Sequence, residues 1–328
     1  MRFLVTGGAG LIGSNIVSNL LQRGYNVTVI DNLQAYPFNY HSFFGTQPLN
    51  IDFKKGDIRD AAFLDGIFNA SEKFDVVIHA AAYADVGACV INYDEDFTNN
   101  IMGTYNVLKY SKKYNAGKVV FVSSASVYGN NSRSAFKEGD PLEPVSTYGN
   151  SKLWGENQTI LFGKLYGMKT TSIRYFSVYG SPQVPKINSH SWCVAIFAMM
   201  GSTGKPITIY GDGNQVRDFV HVKDIAEGTV IASLTDKCNG EIINIGFGRP
   251  VTINKVADLV FSHIKCCGVT TKPYPKGDPI GGYADICKMK SLLSWSPSID
   301  IEDGVHEYCD WFTRNFSYLR DIGYTKSF

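Results

Sequence analysis

The sequence predicts an α/β chain: a doubly wound parallel sheet in the first half, followed by a second, smaller α/β domain. Three observations predict it. Short β-branched runs alternate with helix-length patterns as far as residue 176. Runs such as Val76-Val77-Ile78 and Val119-Val120-Phe121-Val122 are apolar on both faces, as strands covered by helices on both sides must be. A glycine-rich turn joins the first strand to the first helix. The chain has 328 residues, length enough for two domains at about 150 residues each.

Residues 2–6 read as the first strand and 11–23 as a helix closed by Gly24. Residues 26–30 form the second strand, ending at Asp31, and 51–54 the third. Residues 74–79, 118–123 and 169–176 continue the sheet. The stretches 97–114 and 146–166 read as long helices, the first with Ile101, Tyr105 and Leu108 at helical spacing. Beyond residue 176 the texture changes: Gly and Pro become frequent and elements shorten. The expected division is therefore 1–176 and 177–328. It is interleaved, because runs near 219–248, Phe219–Val222 and Glu241–Ile245 among them, read as segments that return to the first sheet or bridge the two parts.

Charge excludes some functions. Thirty-one Lys+Arg against 30 Asp+Glu leave a net +1, and no basic stripe suggests a nucleic-acid partner. No apolar run reaches the ~20 residues of a membrane span, and no leader precedes Phe3-Leu4-Val5. Seven cysteines, an odd number without a C-x-x-C pair, read as free thiols of a reducing cytoplasm. Six scattered histidines without paired spacing point to no metal.

Thr6-Gly7-Gly8-Ala9-Gly10-Leu11-Ile12-Gly13 stands between strand and helix. Glycines at 7, 10 and 13 permit a tight turn, backbone approach to a pyrophosphate and close helix–strand packing, and the helix N-terminus favours the anion. Asp31 ends the next strand, 18 residues after Gly13, where a carboxylate accepts from both ribose hydroxyls. Its charge repels a 2′-phosphate and no Arg adjoins it, which favours NAD over NADP. In Gly56-Asp57-Ile58-Arg59-Asp60, Asp57 suits an adenine amino group and Ile58 the ring face.

Tyr148-Gly149-Asn150-Ser151-Lys152 puts Tyr and Lys on one helix face. A phenol of pKa about 10 is a poor base at neutral pH; a nearby ammonium and a nicotinium ring both favour the phenolate. Tyr148 could then take a proton from a sugar hydroxyl, with Lys152 reaching the nicotinamide ribose. Ser123-Ser124-Ala125-Ser126-Val127-Tyr128-Gly129 lies at the carboxyl end of the preceding strand, where open α/β sheets bind ligands, and its Ser124 hydroxyl can meet the reacting oxygen.

These motifs, with Val77-Ile78-His79-Ala80-Ala81-Ala82, Arg174-Tyr175-Phe176-Ser177-Val178-Tyr179-Gly180 and Gly211-Asp212-Gly213-Asn214-Gln215-Val216-Arg217-Asp218, resemble the extended short-chain dehydrogenase/reductases, specifically the NAD-dependent nucleotide-sugar epimerase/dehydratase family. Lys276-Gly277-Asp278, Tyr283-Ala284-Asp285 and Leu293-Ser294-Trp295-Ser296-Pro297 resemble its C-terminal signature. The resemblance implies a Rossmann fold with a substrate-binding second domain, and a catalytic set Tyr148, Lys152 and Ser124. It adds Leu11, Ile12, Asn32, Ala80, Ala81, Ala82, Asn99, Ser123 and Tyr175 to the cofactor contacts. It assigns Ser124, Ser126, Tyr148, Ser177, Arg217, Asp278 and Gly282 to substrate, Arg217 as the diphosphate clamp. Ser177 stands where the family usually has Asn, and Pro275 where an Arg is common. Loops 186–197 and 207–210 would meet the base, although Trp192, Phe197, Met199 and Met200 suit a core equally.

The family's 4,6-dehydratases carry an acid pair where this chain has Ala125-Ser126, so no residues are left to eliminate water. The pattern is similar to that of UDP-galactose 4-epimerases. It implies inversion at C4 of a UDP-hexose or UDP-N-acetylhexosamine through a 4-keto sugar, with the redox chemistry supplied by NAD. Gly282, at a position that resembles a gate in these enzymes, implies room for a 2-acetamido group. The two long helices resemble the pair that builds a four-helix homodimer interface. Epimerisation at C2 or C3/C5, reduction of a 4-keto sugar, and a NAD-binding sensor without turnover stay open.

Overall fold

The protein was analysed as a computed structural model, which describes residues 1–35, 51–130, 135–187, 189, 191–275 and 281–328. Seven strands form one parallel sheet: β1 (Arg2–Thr6), β2 (Asn26–Asp31), β3 (Asp52–Lys55), β4 (Val76–His79), β5 (Lys118–Ser124), β6 (Lys169–Tyr175) and β7 (Glu241–Ile245). Their order is β7-β6-β5-β4-β1-β2-β3. Thr6 at the end of β1 stands opposite Ile30 on one side and His79 on the other. The winding reverses at β1, which opens a crevice at the carboxyl ends of β1 and β4.

Alternate side chains of each strand feed two cores, as the two-residue pleat dictates. Leu4, Val77 and Val119 pack with Leu64, Phe68 and Leu108 on one face. Phe3, Val5, Ile78 and Val120 pack with Ile16, Leu20, Ile225 and Val230 on the other. A separate core joins the helices Cys193–Ser202, Ile253–Phe261 and Ile301–Asp321 through Phe197, Met199, Val256, Tyr308 and Phe312. Phe197 and Met199 are thus core residues.

Two elements differ from the sequence reading. The run Phe219–His221 pairs in parallel with Ser177–Tyr179, outside the large sheet. The expected helix over 97–114 has a π-helical first part, Phe97–Gly103, before the α-helix Thr104–Lys113. Each wide turn takes up an extra residue, which rotates the helix beyond it. Val107, Leu108 and Tyr110 face inward and Tyr105 faces out. The π-turn brings Asn100 to the backbone of Tyr83, where its Oδ1 accepts from Tyr83 N (2.8 Å) and its Nδ2 donates to Tyr83 O (3.0 Å). Among the described residues no helix is long and apolar enough to cross a membrane.

Candidate active site

A cavity of about 840 Å³ runs along the carboxyl ends of the strands. Gly7, Gly10, Leu11, Ile12 and Gly13 line one end. Gly7 has φ +69°, and a Cβ on it would come within 2.6 Å of Ala81 Cα. A Cβ on Gly13 would fall on the carbonyl of Gly7. Gly10 is different: a Cβ there would meet no protein atom closer than 3.5 Å. Gly10 also caps the helix Leu11–Gln22 and has no side chain with which to satisfy that end. The open room and bare backbone fit a pyrophosphate.

Asp31 lines the cavity beside this turn, its carboxylate accepting from Ala9 N (3.0 Å) and Leu33 N (2.8 Å). Asn32, Ile58, Ala80, Ala81, Ala82 and Asn99 also line it. Asp57 does not. Its oxygens are gripped by Arg59 Nε (3.0 Å) and Nη2 (2.8 Å) and by Asn32 Nδ2 (3.0 Å). Burial opposes its charge, but these bonds win and lower its pKa to about 2. Asp57 thus holds Asn32 at the wall. Tyr175 lines the cavity, yet its hydroxyl is paired with Thr229 Oγ1 at 2.6 Å.

The helix Thr147–Tyr166 carries the central residues. Ser146 caps it by accepting from Gly149 N (3.0 Å), and Gly167 at φ +67° ends it. Tyr148, Lys152 and Glu156 recur every fourth residue and all face inward. Lys152 Nζ donates to Val122 O (3.0 Å) and stands 5.8 Å from the centre of the Tyr148 ring. Ser124 stands close enough to Tyr148 to favour its charged form, and Ser124 Oγ donates to Ser126 Oγ (3.1 Å). Ser123, Ser124, Ser126, Tyr148 and Lys152 share the cavity wall.

Electrostatics here corrects one expectation. Burial pushes the Tyr148 phenol well above its ordinary value; Cys89, Asp96 and Asp85 add to the rise, and Ser124 opposes it. Burial likewise brings the Lys152 ammonium down to about 8, against Asp96, Cys89 and Glu156. Lys152 alone does not make Tyr148 acidic, because desolvation of a phenolate outweighs one ammonium across this gap.

Glu156 escaped the sequence reading. Its carboxylate accepts from Ser123 Oγ (2.6 Å), Arg174 Nε (2.8 Å) and Arg174 Nη2 (2.7 Å), with both partners of the ion pair buried. Arg174 also donates to Tyr128 Oη (2.9 Å). This network bolts the helix Thr147–Tyr166 to β5 and β6. Its signal was present: Glu156 lies one turn beyond Lys152 on the same face.

At the other end Arg217 Nη2 donates to Tyr274 Oη (2.8 Å), and Arg217 pairs through its backbone with Gly282. Ser177, Arg217, Tyr274 and Gly282 all line the cavity; Asp278 lies outside the described residues. Asp218, also on the wall, accepts from Phe247 N (2.7 Å), Gly248 N and Ala284 N (both 2.9 Å), and burial raises it to about 6 despite those bonds.

Comparison with known proteins agrees with this geometry. Residues 3–246 match the NAD dependent epimerase/dehydratase family. The chain is 34% identical to UDP-glucuronate 4-epimerase of Thermodesulfobacterium geofontis, over 98% of both chains. It is 32% identical to UDP-glucose 4-epimerase of Halalkalibacterium halodurans, over 95% of both. Its fold matches the Thermus thermophilus UDP-glucose 4-epimerase complex with NAD at TM-score 0.87, with 33% identity over 95% of this chain and 99% of that one.

Proposed function

The chain belongs to the NAD-dependent epimerase/dehydratase family, and from that premise we propose that it inverts C4 of a UDP-sugar through a transient 4-keto sugar. The observation that carries the reading is the convergence of Tyr148, Ser124 and Lys152 on one cavity wall with the glycine turn. Ala125 and Ser126 stand beside them, where elimination would need an acid pair.

The sugar's 4-hydroxyl would lie against Tyr148 and Ser124. With a positive charge beside it, Tyr148 as the phenolate would accept the proton that leaves O4 and give it back after the sugar has turned. Ser124, itself fixed by Ser126, keeps the phenol aimed. NAD, when bound, would supply the hydride acceptor for C4, and its positive charge would favour the Tyr148 phenolate that burial disfavours. Asp31, Asn32 and Ile58 would hold its adenosine end, and residues 7–13 its pyrophosphate. Arg217, braced by Tyr274, would anchor the substrate diphosphate while the keto sugar rotates.

On this reading residues 1–176, with the return through 222–248, bind the dinucleotide, and 177–328 supply the sugar-nucleotide side. The helices Phe97–Lys113 and Thr147–Tyr166 pack side by side and leave Phe97, Met102, Tyr105, Leu161 and Leu165 exposed. An apolar face of that kind supports a homodimer.

The test is incubation of the purified protein, without added cofactor, with a panel of UDP-sugars followed by proton NMR. C4 epimers without net consumption of NAD(H) are expected. Stoichiometric use of NADH with a 4-keto sugar would instead show a reductase.

A further inference from the structure

Arg59 links two walls of the dinucleotide end of the cavity without being one of its lining residues. Asn32 lines that end from the turn after β2, and Glu95 and Asn99 line it from the helical stretch 93–103. Arg59 Nε and Nη2 hold Asp57 (3.0 and 2.8 Å), whose Oδ2 accepts from Asn32 Nδ2 (3.0 Å). Arg59 Nη1 donates to Glu95 Oε2 (3.0 Å), and the same oxygen accepts from Asn99 Nδ2 (2.9 Å). Asn32, Asp57, Arg59, Glu95 and Asn99 thus form one run of hydrogen bonds whose two ends stand on the cavity wall.

The turn that carries Arg59 is held without its guanidinium. Asn106 Nδ2 donates to Ile58 O (3.1 Å) and Arg59 O (3.2 Å). Gly103 makes room for Ile58, whose Cδ1 a Cβ at 103 would meet at 2.5 Å. The planar fork of the guanidinium instead serves two carboxylates at once, which the point charge of a lysine does not. An asparagine fixed before a ligand arrives spares the complex the entropy of ordering it. We propose that Arg59 is a positioning residue for the cofactor: it presets Asn32 and Asn99 for the dinucleotide and so slows the release of NAD. The inference rests on NAD as the cofactor and not on the C4 reading, because it is read from release of the dinucleotide rather than from turnover.

The test loads the purified full chain with NAD, adds an excess of isotopically labelled NAD, and follows the exchange by mass spectrometry. Arg59→Met keeps the aliphatic stem and should release NAD at least about fivefold faster, the scale of partly exposed ion pairs. Glu95→Ala cuts only the Asn99 side and should have a smaller effect. Both substitutions break the Arg59–Glu95 link, so the double variant should fall short of the product of the two. Arg59→Lys should lie between the native chain and Arg59→Met. Urea midpoints at saturating NAD should stay close to native, because Asn106 still holds the turn. Native release in Arg59→Met overturns the proposal, as do independent effects of the two substitutions or a chain that takes up no NAD. A urea midpoint that falls in step with the faster release assigns Arg59 to the fold alone and overturns it too. If release behaves as expected while no UDP-sugar is epimerised, the C4 reading falls and this inference stands.

Discussion

Gly282 lies against Phe136: a Cβ added at 282 would stand 2.7 Å from Phe136 Cζ and nearer still to Cε2. Phe136 in turn stacks on Tyr128 at 4.7 Å and 7°, and Tyr128 is pinned by Arg174 and Asn244. A larger residue at 282 therefore presses on a fixed ring instead of simply narrowing an open pocket, and its φ of +154° adds backbone strain. Gly282→Ala should cost about 1–3 kcal/mol of stability, read by thermal or urea unfolding. Phe136→Ala should recover much of that loss in the double variant by vacating the space. Additive losses would show that the ring is not what Gly282 accommodates.

Tyr148 and Lys152 make separable contributions. Tyr148→Phe removes the proton carrier and keeps the ring, so kcat should fall at least about a hundredfold with NAD content of the purified protein unchanged. Absorbance at the nucleotide band after denaturation reads that content. Epimerisation at the native rate in Tyr148→Phe would remove the base assigned here.

The buried Glu156–Arg174 pair ties the catalytic helix to two strands. Glu156→Leu leaves a guanidinium without its partner in an apolar interior, and should destabilise the fold by about 3–5 kcal/mol. The double variant Glu156→Leu/Arg174→Met should be far less affected, since no charge is then stranded. Denaturant midpoints for the two variants decide it, and equal losses would mean that packing rather than charge sets the cost.

His79 bridges Thr6 Oγ1 (2.7 Å) and Thr104 Oγ1 (2.9 Å). Burial first, then Lys152, lowers its pKa to about 3 from 6.5. The folded state thus resists a proton that the unfolded chain accepts. His79 contributes stability that is full above the unfolded value and is lost as pH falls through the window from 6.5 to about 3, at up to about 1.4 kcal/mol per pH unit. Relative to His79→Gln, the native chain should lose its advantage across that window. A stability difference constant with pH would refute the neutral, buried state.

The sheet, its strands and the glycine turn were legible because each is written locally: two-faced apolar runs, glycines where a Cβ would strike backbone, Ser146 and Gly167 marking a helix. Tyr148, Lys152 and Ser124 were legible because an i, i+4 pair and a strand-end serine are local as well. What depends on distant neighbours was not. The phenol's rise comes from burial and from Cys89 and Asp96, and the role of Asp57 from Arg59 and Asn32. The π-turn at Phe97–Gly103 carries the bonds between Asn100 and Tyr83, and Tyr105 beyond it faces out. The contact between Gly282 and Phe136 joins positions 146 residues apart. No periodicity encodes such pairings.

The outward apolar face of the two long helices sets the last expectation. Tyr105 is 46% exposed and Leu165 68%, on helices whose inner faces already pack on the sheet. A second copy of the chain would cover these side chains with the same side chains of its partner, as twofold symmetry requires. Sedimentation equilibrium at micromolar concentration should therefore give about twice the 36.2 kDa of one chain. Leu161→Glu/Leu165→Glu places charges on that face, far from the cavity lining, and should shift the protein to the single-chain mass at the same concentration. A native chain already at the single-chain mass would leave this face without a partner copy and reject the dimer.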